Sequence, residues 1–129
     1  MVYAVFFKAE FKRQFQHFPQ DQQDAVLAFV ETFQQKGLGD FTKYTGKISP
    51  SWSGLSEHDP IYAYAKANHL WHYQIGIPIY TMRHDKYQTS DYVLHFQWRW
   101  GDSSINLVDV CYHYRADGTF HLPPEVYLT

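Results

Sequence analysis

The sequence predicts an α+β domain in which an N-terminal strand and a two-helix hairpin pack on an antiparallel β-sheet. Three observations predict it. Val2 to Phe7 (VYAVFF) holds only β-branched and aromatic residues and one Ala, the composition of a strand. Phe11, Phe15 and Phe18, and then Val26, Phe29, Val30 and Phe33, recur at helical spacing. From Asp91 to Arg115 two runs alternate apolar with polar residues around Gly101-Asp102-Ser103, which is a hairpin pattern.

Each element follows in order. The first strand is expected to be buried on much of both faces. The first helix begins at Lys8. Pro19 resets the chain and sits where a helix tolerates its missing N–H. Asp21 and Asp24 lie near the positive end of the second helix, and Lys36 and Gly37 close it. That helix is expected over 20–36. Gly37 to Pro60 is rich in Gly, Pro and Ser and reads as a loop of about twenty residues, a length usually tied to function or mobility. Trp52 within it is an anchor or a stacking platform. Ile61 to Lys66 reads as a short strand or an entry segment. Leu70 to Tyr80 reads as a strand, with Gly76 and Pro78 marking a bulge or an early end to pairing. Thr81 to Ser90 is a polar connection.

The hairpin over 91–115 carries a register argument. Residues opposite each other in an antiparallel pair share a face. A three-residue loop sets Phe96 against Val108, Leu94 against Val110, Tyr92 against Tyr112 and His95 against Asp109, with both faces consistent. The helices are then expected on the face made by Trp71, Tyr73, Leu94, Phe96, Val108 and Val110. The other face bears His72, His95, Gln97, Arg99, Asp109 and His113. Ala116-Asp117-Gly118 is a second turn. Thr119 to Leu122 is expected to return as an edge strand, and the residues after Pro123-Pro124 as a tail.

Composition sets the bounds. The 129 residues suit one domain with a real core, and 45% hydrophobic and 19% aromatic residues exclude a disordered chain. No apolar run approaches the roughly 20 residues that span a bilayer, and the start does not read as a signal peptide. A single Cys excludes an internal disulfide and a thiolate-rich zinc site. A cytoplasmic protein without a membrane partner is expected. The net charge of −2 is a poor match to nucleic acid, so RNA binding would need a local basic patch. Neither a cofactor motif nor a zinc spacing is present. His69 and His72 lie three residues apart, which points them to opposite faces of a strand rather than at one metal ion.

At this point the chain resembles the RelE/ParE superfamily of bacterial toxin–antitoxin systems. Phe15 to Gly37 (FQHFPQDQQDAVLAFVETFQQKG) is similar to the family's second helix, with Phe18-Pro19 in place of Leu-Pro. His69 to Ile75 (HLWHYQI) is similar to its leucine-tryptophan-x-x-x-isoleucine strand. Leu94 to Tyr114 ends in Tyr112-His113-Tyr114, as YoeB-type toxins end in Tyr-His-Tyr. The resemblance covers about residues 2–114 and treats the chain as one toxin domain, with 115–129 as an added C-terminal turn, strand and tail. Four features depart from the family: the slight acidity, the long 37–60 connection, Val93 where RelE and YoeB members carry an arginine, and the 15 residues that follow Tyr114, where YoeB-type toxins stop.

The resemblance implies an endoribonuclease that cleaves mRNA, on the ribosome in RelE and YoeB members, and that is neutralised by a cognate antitoxin. It also implies the alternative of a ParE-type toxin, which poisons gyrase without an RNase centre. A small α+β interaction domain without toxin activity is the third reading. Metal-free RNA cleavage needs a base for the 2′-hydroxyl, an acid for the leaving 5′-oxygen and a cation for the phosphorane. By resemblance His113 is the acid/base and Tyr114 positions substrate. Among the residues of the polar face, His95 is a further proton-transfer candidate and Arg99 the cation, with Asp109 either orienting His95 or forming a hydrogen-bonded pair with no catalytic role. Lys66, His72, Gln97 and Arg115 are the candidate substrate contacts. The discriminating expectation is that His95, Arg99 and His113 share one exposed face.

Overall fold

The computed structural model describes residues 2–75, 81–84, 87–89, 92–112 and 122–129. Strand β1 (Ala4–Phe7) leads into helices α1 (Ala9–Phe15) and α2 (Gln20–Lys36). A 3₁₀ turn (Phe41–Lys43) and strand β2 (Ile48–Pro50) follow, then helix α3 (Pro60–Ala67) and strand β3 (Leu70–Gln74). Strands β4 (Thr81–His84) and β5 (Tyr87–Thr89) form a small ladder of their own. Strands β6 (Tyr92–Gln97) and β7 (Ser104–Tyr112) complete the main sheet, and a 3₁₀ turn (Glu125–Leu128) ends the chain.

The main sheet has five strands in the order β1-β7-β6-β3-β2. The pairings β3–β6 and β6–β7 are antiparallel, as expected, and β2, in the segment read as a loop, adds a further antiparallel edge on β3. Strand β1 pairs with β7 in parallel, so the sheet is mixed rather than purely antiparallel. The edge position of β1 also corrects the expectation that it is buried on both faces: Phe6 is 57% exposed. Pro50 suits edge strand β2, where its missing N–H costs no ladder bond.

Helices α1 and α2 cover one face. Phe11, Val26, Phe29 and Phe33 pack with Trp71, Tyr73, Leu94 and Phe96 of the sheet. Phe29 is central, with ring centroids 4.7 Å from Tyr73 and 5.4 Å from Phe96. The helix α2 spans the expected residues and closes at Gly37, whose φ of 66° lies in the left-handed region. A Cβ there would run into the ring of Tyr3, so glycine is required on two counts.

The expected register holds for half of the β6–β7 pair. Leu94 faces Val110 and His95 faces Asp109, but Phe96 faces Leu107. Val108 is the extra residue of a β-bulge, and the pairing parity changes there. Ile105 and Leu107, which share the parity of Asp109 and by strict alternation would lie on its face, therefore join the helix-side core at 1% and 0% exposure. Val108, expected on that side, packs instead with Ala65, Leu70 and Leu122 on the opposite face.

That opposite face is covered in part by α3 and the C-terminal turn, neither of which the sequence reading anticipated. Helix α3 occupies the segment read as a strand or entry. Asp59 caps it by accepting the Ile61 N–H at 2.9 Å, and Pro60 takes its first turn. Tyr64 donates its hydroxyl to the Pro123 carbonyl at 2.6 Å, and Gln14 donates to the Tyr127 hydroxyl at 3.0 Å. The last residues are thus held against the body rather than trailing as a tail. The 37–60 connection is likewise structured, and Trp52 is an anchor that meets Trp71 edge-on at 5.8 Å. Thr81 to Ser90 contains the β4–β5 ladder rather than a plain polar connection. The edge strand expected over 119–122 lies, Leu122 aside, outside the described residues.

Candidate functional site

Two polar constellations are built on the sheet. The first runs across it. Ser49 of β2 pairs with His72 of β3, His72 with His95 of β6, and His95 with Asp109 of β7. Equal parity on adjacent strands places all four on the face away from α1 and α2. Ser51 reaches the same row, with its Oγ 3.1 Å from His72 Nδ1. The His72 and His95 rings lie 6.1 Å apart.

This row is not an exposed face. His72, His95 and Asp109 are 6%, 0% and 7% exposed. The expectation that His95 presents itself to a polymer substrate is therefore corrected. Burial pushes the Asp109 carboxyl up to about 6, against the opposing effects of hydrogen bonds from the Cys111 side chain and the Val110 backbone. Because the row is buried, a bulky substrate has no direct access to it.

The second constellation lies at the end of the sheet where β6 leaves for the hairpin turn. Gln97 is its centre. Its Nε2 donates to the Asn68 carbonyl at 3.0 Å, and its Oε1 accepts from Asn106 Nδ2 at 3.3 Å. These residues, with His69, Arg99 and Ser104, line an open cavity of about 210 Å³. Arg99 is exposed, and among the described residues no carboxylate forms an ion pair with it. The backbone of the turn is fixed by Trp98, whose Nε1 donates to the Asp102 carbonyl at 2.9 Å.

Of the predicted site residues, the structure brings Gln97 and Arg99 together at this cavity, and His72 and His95 together in the buried row. Lys66 joins neither. It is exposed on the last turn of α3, with its ammonium 3.4 Å from the Tyr62 hydroxyl. His113, Tyr114 and Arg115 lie outside the described residues. Among the described residues no group of three or more His, Cys, Asp or Glu side chains could hold a metal ion. No helix among them is long and apolar enough to cross a membrane.

Sequence reasoning missed Ser51, Asn68, His69 and Asn106. A signal for two of them was present: Asp59-Pro60 is a helix-start pair, and a helix begun there ends at Asn68-His69. Ser51 reaches His72 only through the β2–β3 pairing, and no local pattern announces it. Comparison with protein-family models, with curated proteins and with solved structures finds no match to this chain.

Proposed function

We propose that the chain is a toxin of the RelE/ParE kind, acting on mRNA as an endoribonuclease and held inactive by a cognate antitoxin. The observation that carries this reading is the order of elements: a strand, a helical hairpin, a connection that also holds β2 and α3, and then β3, β6 and β7, which are antiparallel neighbours in the sheet although β4 and β5 come between β3 and β6 in the chain. This is the order on which the resemblance rests. The chemistry falls to His113 as acid/base, Tyr114 as substrate positioner and the exposed Arg99 as the cation. His72 and His95 take no direct part, because they are buried.

That burial favours a second reading, a ParE-type toxin that inhibits its target by occupying it. One experiment separates the two. The chain is expressed from an inducible promoter, and a translated mRNA is mapped by primer extension. Endoribonuclease action gives growth arrest with new 5′ ends, both lost in His113→Ala. Arrest without cleavage moves the conclusion to the ParE-type reading. Growth unaffected by the wild-type chain removes the toxin reading altogether. The antitoxin is sought by co-purification with the product of the neighbouring gene. Arg99→Glu and Arg115→Glu are expected to weaken that complex, since acidic groups of the antitoxin would pair with these cations.

A further inference from the structure

His69 stands in a backbone conformation that glycine adopts at less cost. Its φ is 54°, and it is the one described non-glycine residue with a positive φ. The position is held from both sides: the His69 N–H donates to the Lys66 carbonyl at 3.2 Å, and its own carbonyl accepts from the Trp98 N–H at 3.0 Å. It ends α3 where glycine is the usual residue. A side chain kept at a strained position points to a use for that side chain, and His69 is among the residues that line the sheet-end cavity.

The rest of the wall is fixed in advance. Asn68 donates to the Tyr64 carbonyl, Gln97 to the Asn68 carbonyl and Asn106 to Gln97. Each amide uses one N–H on its neighbour and has a second for a ligand. Ser104 adds a hydroxyl, and Arg99 adds a guanidinium without an ion-pair partner among the described residues. Asp102 brings the one carboxylate of the wall.

We propose that this cavity is a nucleotide-binding site, with Arg99 and His69 on a phosphate and the Asn68, Gln97 and Asn106 amides on a base edge or ribose hydroxyl. A guanidinium matches phosphate oxygens in geometry as well as charge. Amides, with donor and acceptor side by side, match base edges. Asp102 can accept from a ribose hydroxyl. The wall also lacks the apolar pockets that anchor a peptide, Trp98 being its only large apolar residue. The site shares Arg99 with the proposed cleavage and so deepens that reading, although binding here requires neither cleavage nor a ribosome.

The test is fluorescence anisotropy with a fluorescein-labelled single-stranded RNA hexamer at low salt. Unlabelled hexamer, adenosine monophosphate, inorganic phosphate and hexaglutamate are the competitors. Arg99→Gln and His69→Gly are each expected to weaken binding about tenfold, the scale of one hydrogen bond to a charged group. Lys12→Gln, on the exposed side of α1, should bind as the wild type does. His69→Gly should melt no lower than the wild type, which separates lost binding from lost fold. Competition by the mononucleotide assigns the site to free nucleotides, and competition by the hexamer alone assigns it to a strand; both support the proposal. It is overturned if the wild type does not bind, if both cavity variants bind as the wild type does, or if phosphate or hexaglutamate competes as well as the best nucleotide competitor. Growth arrest and RNA cleavage are not read in this assay, so failure of the toxin reading and failure of this site are distinguishable.

Discussion

His95 and Asp109 stand opposite each other on β6 and β7, and both are buried. Burial pushes the Asp109 carboxyl up to about 6 in the folded chain, against about 3.9 when unfolded. Between those values the folded state holds the proton more tightly. Its stability from this group is complete below about pH 4, falls as pH rises toward 6, and is gone above that. The loss is on the order of 2–3 kcal/mol. Asp109→Asn has no such titration. The variant should gain stability relative to wild type as pH rises from 4 to 7, as read from urea denaturation at each pH. A difference that stays flat over that range would show that Asp109 is ionised in the folded protein.

Phe96 is 0% exposed and lies against Phe29. Phe96→Ala should cost about 3–5 kcal/mol, because the lost contacts and the cavity add. Equilibrium denaturation checks this, and a loss under about 1 kcal/mol would mean that the helix-side core does not close around this ring.

Gly37 combines a φ of 66° with the ring of Tyr3 where a Cβ would stand. Gly37→Ala is expected to lower stability by about 2–3 kcal/mol through strain and overpacking together. In the double variant Gly37→Ala/Tyr3→Ala the steric part should disappear, leaving the roughly 1–2 kcal/mol of the backbone conformation. Equal losses from Gly37→Ala in both backgrounds would mean that the Tyr3 ring does not pack there.

Helix α3 depends on its two ends. Asp59→Ala removes the side chain that accepts the Ile61 N–H and should cost about 1 kcal/mol. His69→Gly relieves the left-handed residue at the other end and should add about 0.5–1 kcal/mol, the relief being partly offset by a more flexible unfolded chain. Thermal melts of the two variants should move in opposite directions. A shift of the same sign in both would contradict the capping described here.

Much of the fold is legible where local pattern and burial agree. The helix over 20–36 is specified by its own apolar stripe and its closing Gly37, and the β6–β7 partners from Tyr92–Tyr112 to His95–Asp109 by alternation alone. Both depend on residues close in sequence. Alternation fails at Val108, where two apolar residues adjoin and a bulge moves Leu107 and Val108 to opposite cores. A parity rule assumes one residue per pair, and only packing against two different layers decides where that assumption breaks.

The candidate chemistry divides in the same way. The sequence alone determined that His72, His95 and Asp109 share one face, since a strand has a period of two. It could not determine whether that face is wet, because solvent exposure depends on what distant segments lay over it. Covering by α3 and the C-terminal turn, and the near-complete burial of the row, are decisions of tertiary structure. The sheet-end cavity belongs wholly to that second kind. Asn68 and His69, Gln97 and Arg99, and Ser104 and Asn106 come from three separate stretches of chain, and only the pairing of β3 with β6 and of β6 with β7 brings their side chains to one place.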